Sequence, residues 1–234
     1  MFRARPSLET VEFDGWVLRF ANGYTKRANS VNPHFDSTRP VAEKIARCEM
    51  HYAERGLPTI FRLTAFSRPA ALDSTLADAG YGLLDRSLVL AAPLDPAPAP
   101  GYSDVRTVPA DAWFAAFDRL RRPDPVACTT HRRIVEASEG TCRFAIVEVG
   151  GEPVACGLGV LIDDAVGLFD LFTAKPHRHC GYGSAIVGAA LRWAHRRGAR
   201  TAFLQVHSEN DSALRLYERF GFALAYPYWY RGKP

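Results

Sequence analysis

The sequence predicts an α/β (α+β) protein built as two domains in tandem, and three observations point there. Residues 1–90 carry strands and helices in the order strand, strand, helix, strand, helix, strand, and the second half repeats that order. Between the halves, 91–101 (Ala-Ala-Pro-Leu-Asp-Pro-Ala-Pro-Ala-Pro-Gly) is too rich in proline for a helix or a ladder and reads as a stiff linker. In the second half an apolar strand feeds a glycine-bearing turn and then a helix, an arrangement that gathers outward-pointing N–H groups and favours an anion.

In the first domain, 1–90, Trp16 to Phe20 and Tyr24 to Val31 read as strands joined by the turn pair Asn22-Gly23. Val41 to Arg55 follows as a helix, with Val41, Ile45, Cys48 and Tyr52 at helical spacing and Gly56 to stop it. Thr59 to Thr64 returns as a strand, Pro69 to Ala79 forms a helix closed by Gly80, and Tyr81 to Leu90 completes the unit. The segment 32–40, which occupies the place of a phosphate loop, contains no glycine, and its Pro40 has no N–H to offer.

The second domain, 102–234, opens with a strand near Val105 and a helix from Asp111 carrying Trp113, Phe114 and Phe117. A further helical stretch runs from Thr130 to Ala137. Arg143 to Val149 and Pro153 to Ile162 form a hairpin about Gly150-Gly151, and Asp163-Asp164 turns into the strand Ala165 to Thr173. A helix runs from the glycine turn to about Arg197, then come a strand over Thr201 to His207, a helix opening at Asn210, and a last strand from Ala223 to Tyr230. The aromatic run Tyr226, Tyr228, Trp229, Tyr230 suits packing within a strand or between domains.

The turn itself reads Arg178-His179-Cys180-Gly181-Tyr182-Gly183-Ser184. A dinucleotide fingerprint fails because Ile186 stands where the third glycine belongs, and the P-loop pattern is absent. Arg-x-x-Gly-x-Gly instead resembles the acetyl-CoA signature of the GCN5-related N-acetyltransferases. Downstream, Asn210 to Phe222 (Asn-Asp-Ser-Ala-Leu-Arg-Leu-Tyr-Glu-Arg-Phe-Gly-Phe) is similar to that family's N-x-x-A-x-x-L-Y-x-x-x-G-F segment. The resemblance covers about Val154 to Tyr230. It implies a mixed, mostly antiparallel sheet flanked by helices, with the first domain a degenerate copy lacking its own CoA loop; an unrelated small α/β unit is the alternative for that half.

Carried over residue by residue, the resemblance implies that Leu171, Phe172 and Thr173 bond the pantetheine arm through their backbone. The N–H groups of Arg178, His179, Cys180, Gly181, Tyr182, Gly183 and Ser184 would hold the pyrophosphate. It makes Asn210 and Ala213 cofactor contacts and Tyr217 the general acid that protonates the departing thiolate. Asn210 also suits a helix N-cap, and Tyr217 a packed tyrosine on the same helix face. Asp170 is the first candidate for general base, with His207 and Glu209 behind it. The activity implied is transfer of an acetyl group from acetyl-CoA to a primary amine by direct attack. A silent acetyl-CoA-binding sensor or scaffold is the alternative.

Composition narrows the rest. A formal net charge of +4 and a pI near 8.9 suit an anionic ligand without arguing for nucleic acid. Five scattered cysteines without a CxxC pair read as reduced thiols, and no apolar run reaches membrane-spanning length, so a cytoplasmic protein is expected. His177 and His179 lack the companions of a metal site, so no metal is expected. The expected partner is a small-molecule or peptide amine; neither membrane nor nucleic acid is expected, and a homodimer is left open.

Overall fold

The structure is a computed structural model and describes residues 2–94 and 105–233. Its first strands, β1 (Glu9–Phe13) and β2 (Trp16–Phe20), pair through Asp14 and Gly15, whose φ values of 45° and 82° make the turn that suits twisted strands. Alternation along β2 buries Trp16, Leu18 and Phe20. Then come β3 (Val31–Pro33), helix α1 (Val41–Ala53), β4 (Ile60–Thr64), helix α2 (Leu72–Asp78) and β5 (Gly82–Pro93). Helix α1 buries Ile45, Cys48 and Tyr52, the stripe its spacing predicts, against Trp16, Phe61 and Leu63. Full burial of each large apolar side chain is worth about 1.5–3 kcal/mol.

The second half comprises β6 (Arg106–Thr107), α3 (Ala110–Arg121), α4 (Pro125–Glu136), β7 (Thr141–Val149), β8 (Glu152–Ile162) and β9 (Ala165–Thr173). Helix α5 (Tyr182–His195), β10 (Thr201–His207), α6 (Asp211–Glu218) and β11 (Ala223–Gly232) complete it. Helix α5 is buried along most of its length, Ala185 to Leu191 without a break, because it lies across the sheet beside β8 and β9.

All eleven strands belong to one sheet, in the order β1-β2-β3-β4-β11-β5-β10-β9-β8-β7-β6. Only β3–β4 and β9–β10 pair in parallel, so the sheet is mixed and mostly antiparallel. The sheet does not divide between the halves. Strand β11 inserts between β4 and β5, and β5 lies between β11 and β10. Their pairing is nearly symmetric end to end: Ala223 faces Ala91 at one end, and Gly82 faces Gly232 at the other. Each half therefore lends its last strand to the other.

Two local expectations change. The hairpin turn is Asp14-Gly15, not Asn22-Gly23, and Tyr24 to Val31 is not a strand: a short 3-10 turn, Lys26–Ala28, occupies it. The Asn29 side chain explains this, because its oxygen accepts from the N–H groups of Ala21 (2.7 Å) and Gly23 (3.0 Å) and closes the loop locally. In the proline-rich stretch, Ala91 to Pro93 continue β5 opposite Phe203, Ala202 and Thr201. Leu94 is buried and its N–H donates to Arg200 O at 2.8 Å; the remainder of that stretch, 95–101, lies outside the described residues. No helix among the described residues is long and apolar enough to cross a membrane.

Candidate active site

Strands β9 and β10 run in parallel register only from Ala165/Thr201 to Leu168/Leu204, and then separate. The cause lies on β9. Opposite β8 the register shifts between Cys156/Phe172 and Leu158/Phe169, so Asp170 and Leu171 together face Gly157, and Asp170 takes φ 51°. A Cβ at Gly157 would meet Ile186 at 2.5 Å and Leu171 at 2.8 Å, so glycine is what lets the bulge and α5 approach there. Past the bulge, Phe172 and Thr173 stay paired to β8 on one side, while the other edge of β9 from Leu171 to Thr173 faces the gap left by β10. This is the opening an extended pantetheine arm would need.

At the end of β9 the chain makes a 3-10 turn, Lys175–His177, and passes through Arg178, His179 and Cys180, all exposed, to Gly181. His179 and Gly181 hold φ 63° and 84°, and glycine is the residue that takes the second value without strain. Helix α5 then starts at Tyr182 with no side chain capping it. The first N–H groups of a helix have no intrahelical partner, so those near Tyr182, Gly183 and Ser184 present an open anion site. Arg219 adds a cation there, its guanidinium donating to the Ser184 hydroxyl at 3.3 Å.

Beyond β10, Asn210 caps α6: its side-chain oxygen accepts from Ala213 N–H at 3.2 Å. The backbone N–H of Ala213, a residue expected among the cofactor contacts, is engaged by this cap. Tyr217, two turns on, is buried, and burial pushes its phenol up to about 12, so it keeps its proton at neutral pH.

Asn210 and Tyr217 share a cavity of about 300 Å³ with Asp170, Leu171 and Phe172 of β9 and with Gln205 and His207 of β10. Tyr24, Thr25 and Arg27 from the first half, with Phe117 and Arg121 of α3, form the facing wall. The turn at 178–184 is not part of this cavity. Cofactor phosphates and reacting groups would therefore occupy different places.

Asp170 is deeply engaged. Its Oδ1 accepts from Arg5 Nη2 at 3.5 Å, and its Oδ2 lies 3.1 Å from Arg5 Nη1 and 3.0 Å from His131 Nε2 on α4. Burial favours the neutral acid, but Arg5 and the His131 hydrogen bond outweigh it and hold the carboxyl at about 2. A carboxylate so held is a weak base, which tells against the general-base role expected of it. His131 is itself 1% exposed, stacked on Tyr24 at 5.4 Å and packed on Phe117 at 4.4 Å. Arg5 lies over the Phe169 ring. The other candidate bases are more open: His207 is exposed, its Nδ1 accepting from Glu209 N–H at 3.3 Å, and Glu209 is exposed too.

Sequence reasoning missed Arg5, Tyr24, Arg27, Arg121 and His131. For His131 a signal existed: it lies three and four residues before the buried Ile134 and Val135, so it falls on the apolar face of α4. The arginines and Tyr24 reach the cavity by long-range packing, which no local pattern records. All five cysteines are free, and no cluster of ligand-type side chains able to hold a metal occurs among the described residues.

In the first half, the N–H groups just ahead of α1 are taken by a side chain of the same half. Ahead of α1, Thr38 and Arg39 donate their N–H groups to the Asp14 carboxylate at 3.0 and 3.1 Å, and the Thr38 hydroxyl donates at 2.8 Å. The buried Lys44 ammonium, over the Trp16 ring at 3.9 Å, stands 3.6 Å from the same carboxylate. The hydrogen bond from Thr38 N–H leads the interactions that lower Asp14 to about 2.

Comparison with known proteins extends over the whole chain. Residues 1–231 match a family model described as "Probable histone acetyltransferase Rv0428c C-terminal". The chain is 30% identical over 224 residues to a Bacillus subtilis protein named "Uncharacterized N-acetyltransferase YobR", covering 93% of this chain and 90% of that one. Its fold is similar to a GCN5-related N-acetyltransferase from Kribbella flavida (TM-score 0.72, 18% identity, 97% of this chain and 90% of the other). A second such enzyme, from Sphaerobacter thermophilus, aligns with TM-score 0.67 at 19% identity over 94% of this chain and 76% of its own.

Proposed function

The chain belongs to the GCN5-related N-acetyltransferase family, and we propose that it transfers an acetyl group from acetyl-CoA to a primary amine. The observation that carries this is the parting of β9 from β10, which leaves a strand edge running from the uncapped start of α5 to the Tyr217 phenol. Leu171, Phe172 and Thr173 would align the pantetheine, and the N–H groups about Gly181 to Ser184 would hold the phosphates.

Acetyl-CoA supplies an acetyl thioester, whose carbonyl carbon bonds to the amine nitrogen as its carbon–sulfur bond breaks. Tyr217, protonated at neutral pH, gives its proton to the departing sulfur. The amine's own proton goes to solvent, which returns one to the Tyr217 phenolate before the next turnover. Asp170, the single carboxylate among the described residues lining it, is occupied by Arg5 and His131 and acts by holding them in position.

We further read the first half as a copy of the second that lost its CoA site. The repeated order of elements, the matched register of β5 and β11 and the carboxylate of Asp14 at the start of α1 support this reading.

Calorimetric titration with acetyl-CoA tests the proposal in the wild type and in Gly183→Glu. A Cβ at 183 would lie 3.4 Å from Leu216 and 3.7 Å from Thr173, so the fold accepts a side chain there while the new carboxylate opposes a pyrophosphate. Micromolar binding by the wild type and none by the variant is expected. A wild type that binds no acetyl-CoA would overturn the assignment.

A further inference from the structure

The cavity beside Tyr217 carries more positive charge than its reaction needs. Its carboxylate, Asp170, is spent on Arg5 and His131, which leaves two guanidiniums on the facing wall. Arg27 comes from the first half. Its Nε is buried without a hydrogen-bond partner; the phenols of Tyr228 and Tyr230 lie beside it, and the Asp170 carboxylate acts on it only from beyond ion-pair distance. Arg121 comes from the end of α3 and rests 5.3 Å from the centre of the Phe172 ring. Neither has a carboxylate within ion-pair distance among the described residues.

Guanidiniums kept out of salt bridges, one of them with a buried donor unmet, are costly unless something fills the site. Their planar forks match oxyanions, and the CoA phosphates would lie outside this cavity, at the 178–184 turn. Resting on the acetyltransferase reading above, we infer that the acceptor is a small primary amine bearing its own oxyanion, a carboxylate or a phosphate, held by Arg27 and Arg121. Polyamines and lysine-rich peptides are correspondingly excluded by charge. The wall that Arg27 of the first half and Arg121 of α3 share thereby selects the acceptor.

The test uses the full chain with saturating acetyl-CoA and matched acceptors: an amino acid, its carboxamide, its decarboxylated amine, phosphoethanolamine and a polyamine. The expected result is kcat/KM at least about tenfold higher for an oxyanion-bearing acceptor than for its neutral or cationic partners. The amino acid against phosphoethanolamine decides between carboxylate and phosphate. In Arg121→Gln, which alters an exposed side chain, and in Arg27→Gln, KM for the preferred acceptor should rise and the kcat/KM ratio of carboxylate to carboxamide should fall towards one. Equal use of carboxylate and carboxamide, a preference for the polyamine, or a preference that survives both substitutions would overturn the inference. So would a protein that binds acetyl-CoA yet acetylates none of the panel. Failure to bind acetyl-CoA would instead remove the transferase reading beneath it.

Discussion

At the start of α1 a carboxylate is already in place, and at the start of α5 there is none. Both helices follow a strand and precede that strand's parallel neighbour. In the first half Pro40 precedes the helix, and Asp14 reaches across from the β1–β2 turn to take the N–H groups of Thr38 and Arg39. In the second half Gly181 leads into the helix and the N–H groups face outward. The second helices differ in parallel. The carbonyls of Leu76 and Tyr217 accept from the N–H of Tyr81 and Phe222 respectively, so they hold the same place, yet one is apolar and the other a phenol. One topology thus yields a unit whose N–H groups are met internally and a unit whose helix start carries no side-chain cap.

The sharpest way to break that contrast is to give the second half the first half's chemistry. Tyr217→Phe should lower kcat roughly 100-fold, the scale of a lost general acid, while acetyl-CoA affinity measured by calorimetry stays unchanged. An unaltered kcat would remove the phenol from the mechanism.

A second test addresses the internal carboxylate through acid. Asp14 titrates at about 2 in the folded protein and near 3.9 in an unfolded chain. The lower folded value means that its stabilisation is full above about pH 4 and disappears as pH falls towards 2. Denaturant unfolding of Asp14→Asn should therefore show a lower stability than wild type at pH 6 and a flatter loss between pH 4 and 2. Equal slopes in that window would show that the Thr38 and Arg39 contacts contribute nothing.

The smallest expected effect is at Gly181. Alanine there must adopt φ 84°, at a cost of about 1 kcal/mol, read as a lower midpoint in denaturant and a weakened acetyl-CoA affinity.

How much of this was legible in the sequence follows from the range of the forces involved. The turn at Arg178 to Ser184 and the Asn210–Tyr217 helix were visible because local backbone geometry and helical spacing make them. That the segment 32–40 lacks glycine and carries Pro40, and so offers no phosphate loop, was visible too. What takes its N–H groups was not, since Asp14 lies well before the segment in sequence and meets it through the β1–β2 hairpin. Asp170 was singled out as an acidic group on the right strand, but its strength as a base depends on Arg5 and His131, which arrive from the beginning of the chain and from α4. The proline-rich boundary suggested a clean division, whereas strand exchange is settled by pairing partners that neither half encodes by itself.

That exchange has a consequence for how the protein is made. Strand β11 follows every other strand in the chain, yet its place is near the middle of the sheet, between β4 and β5. Until the ribosome has delivered it, the first half has two unpaired inner edges, the kind of surface that recruits other chains. The first half can collapse early around Trp16 and Tyr52, but its sheet closes only after synthesis of the second is finished. Closing of the first half's sheet therefore waits on a strand from the second half, and it is slow because these central contacts are among the most distant in sequence.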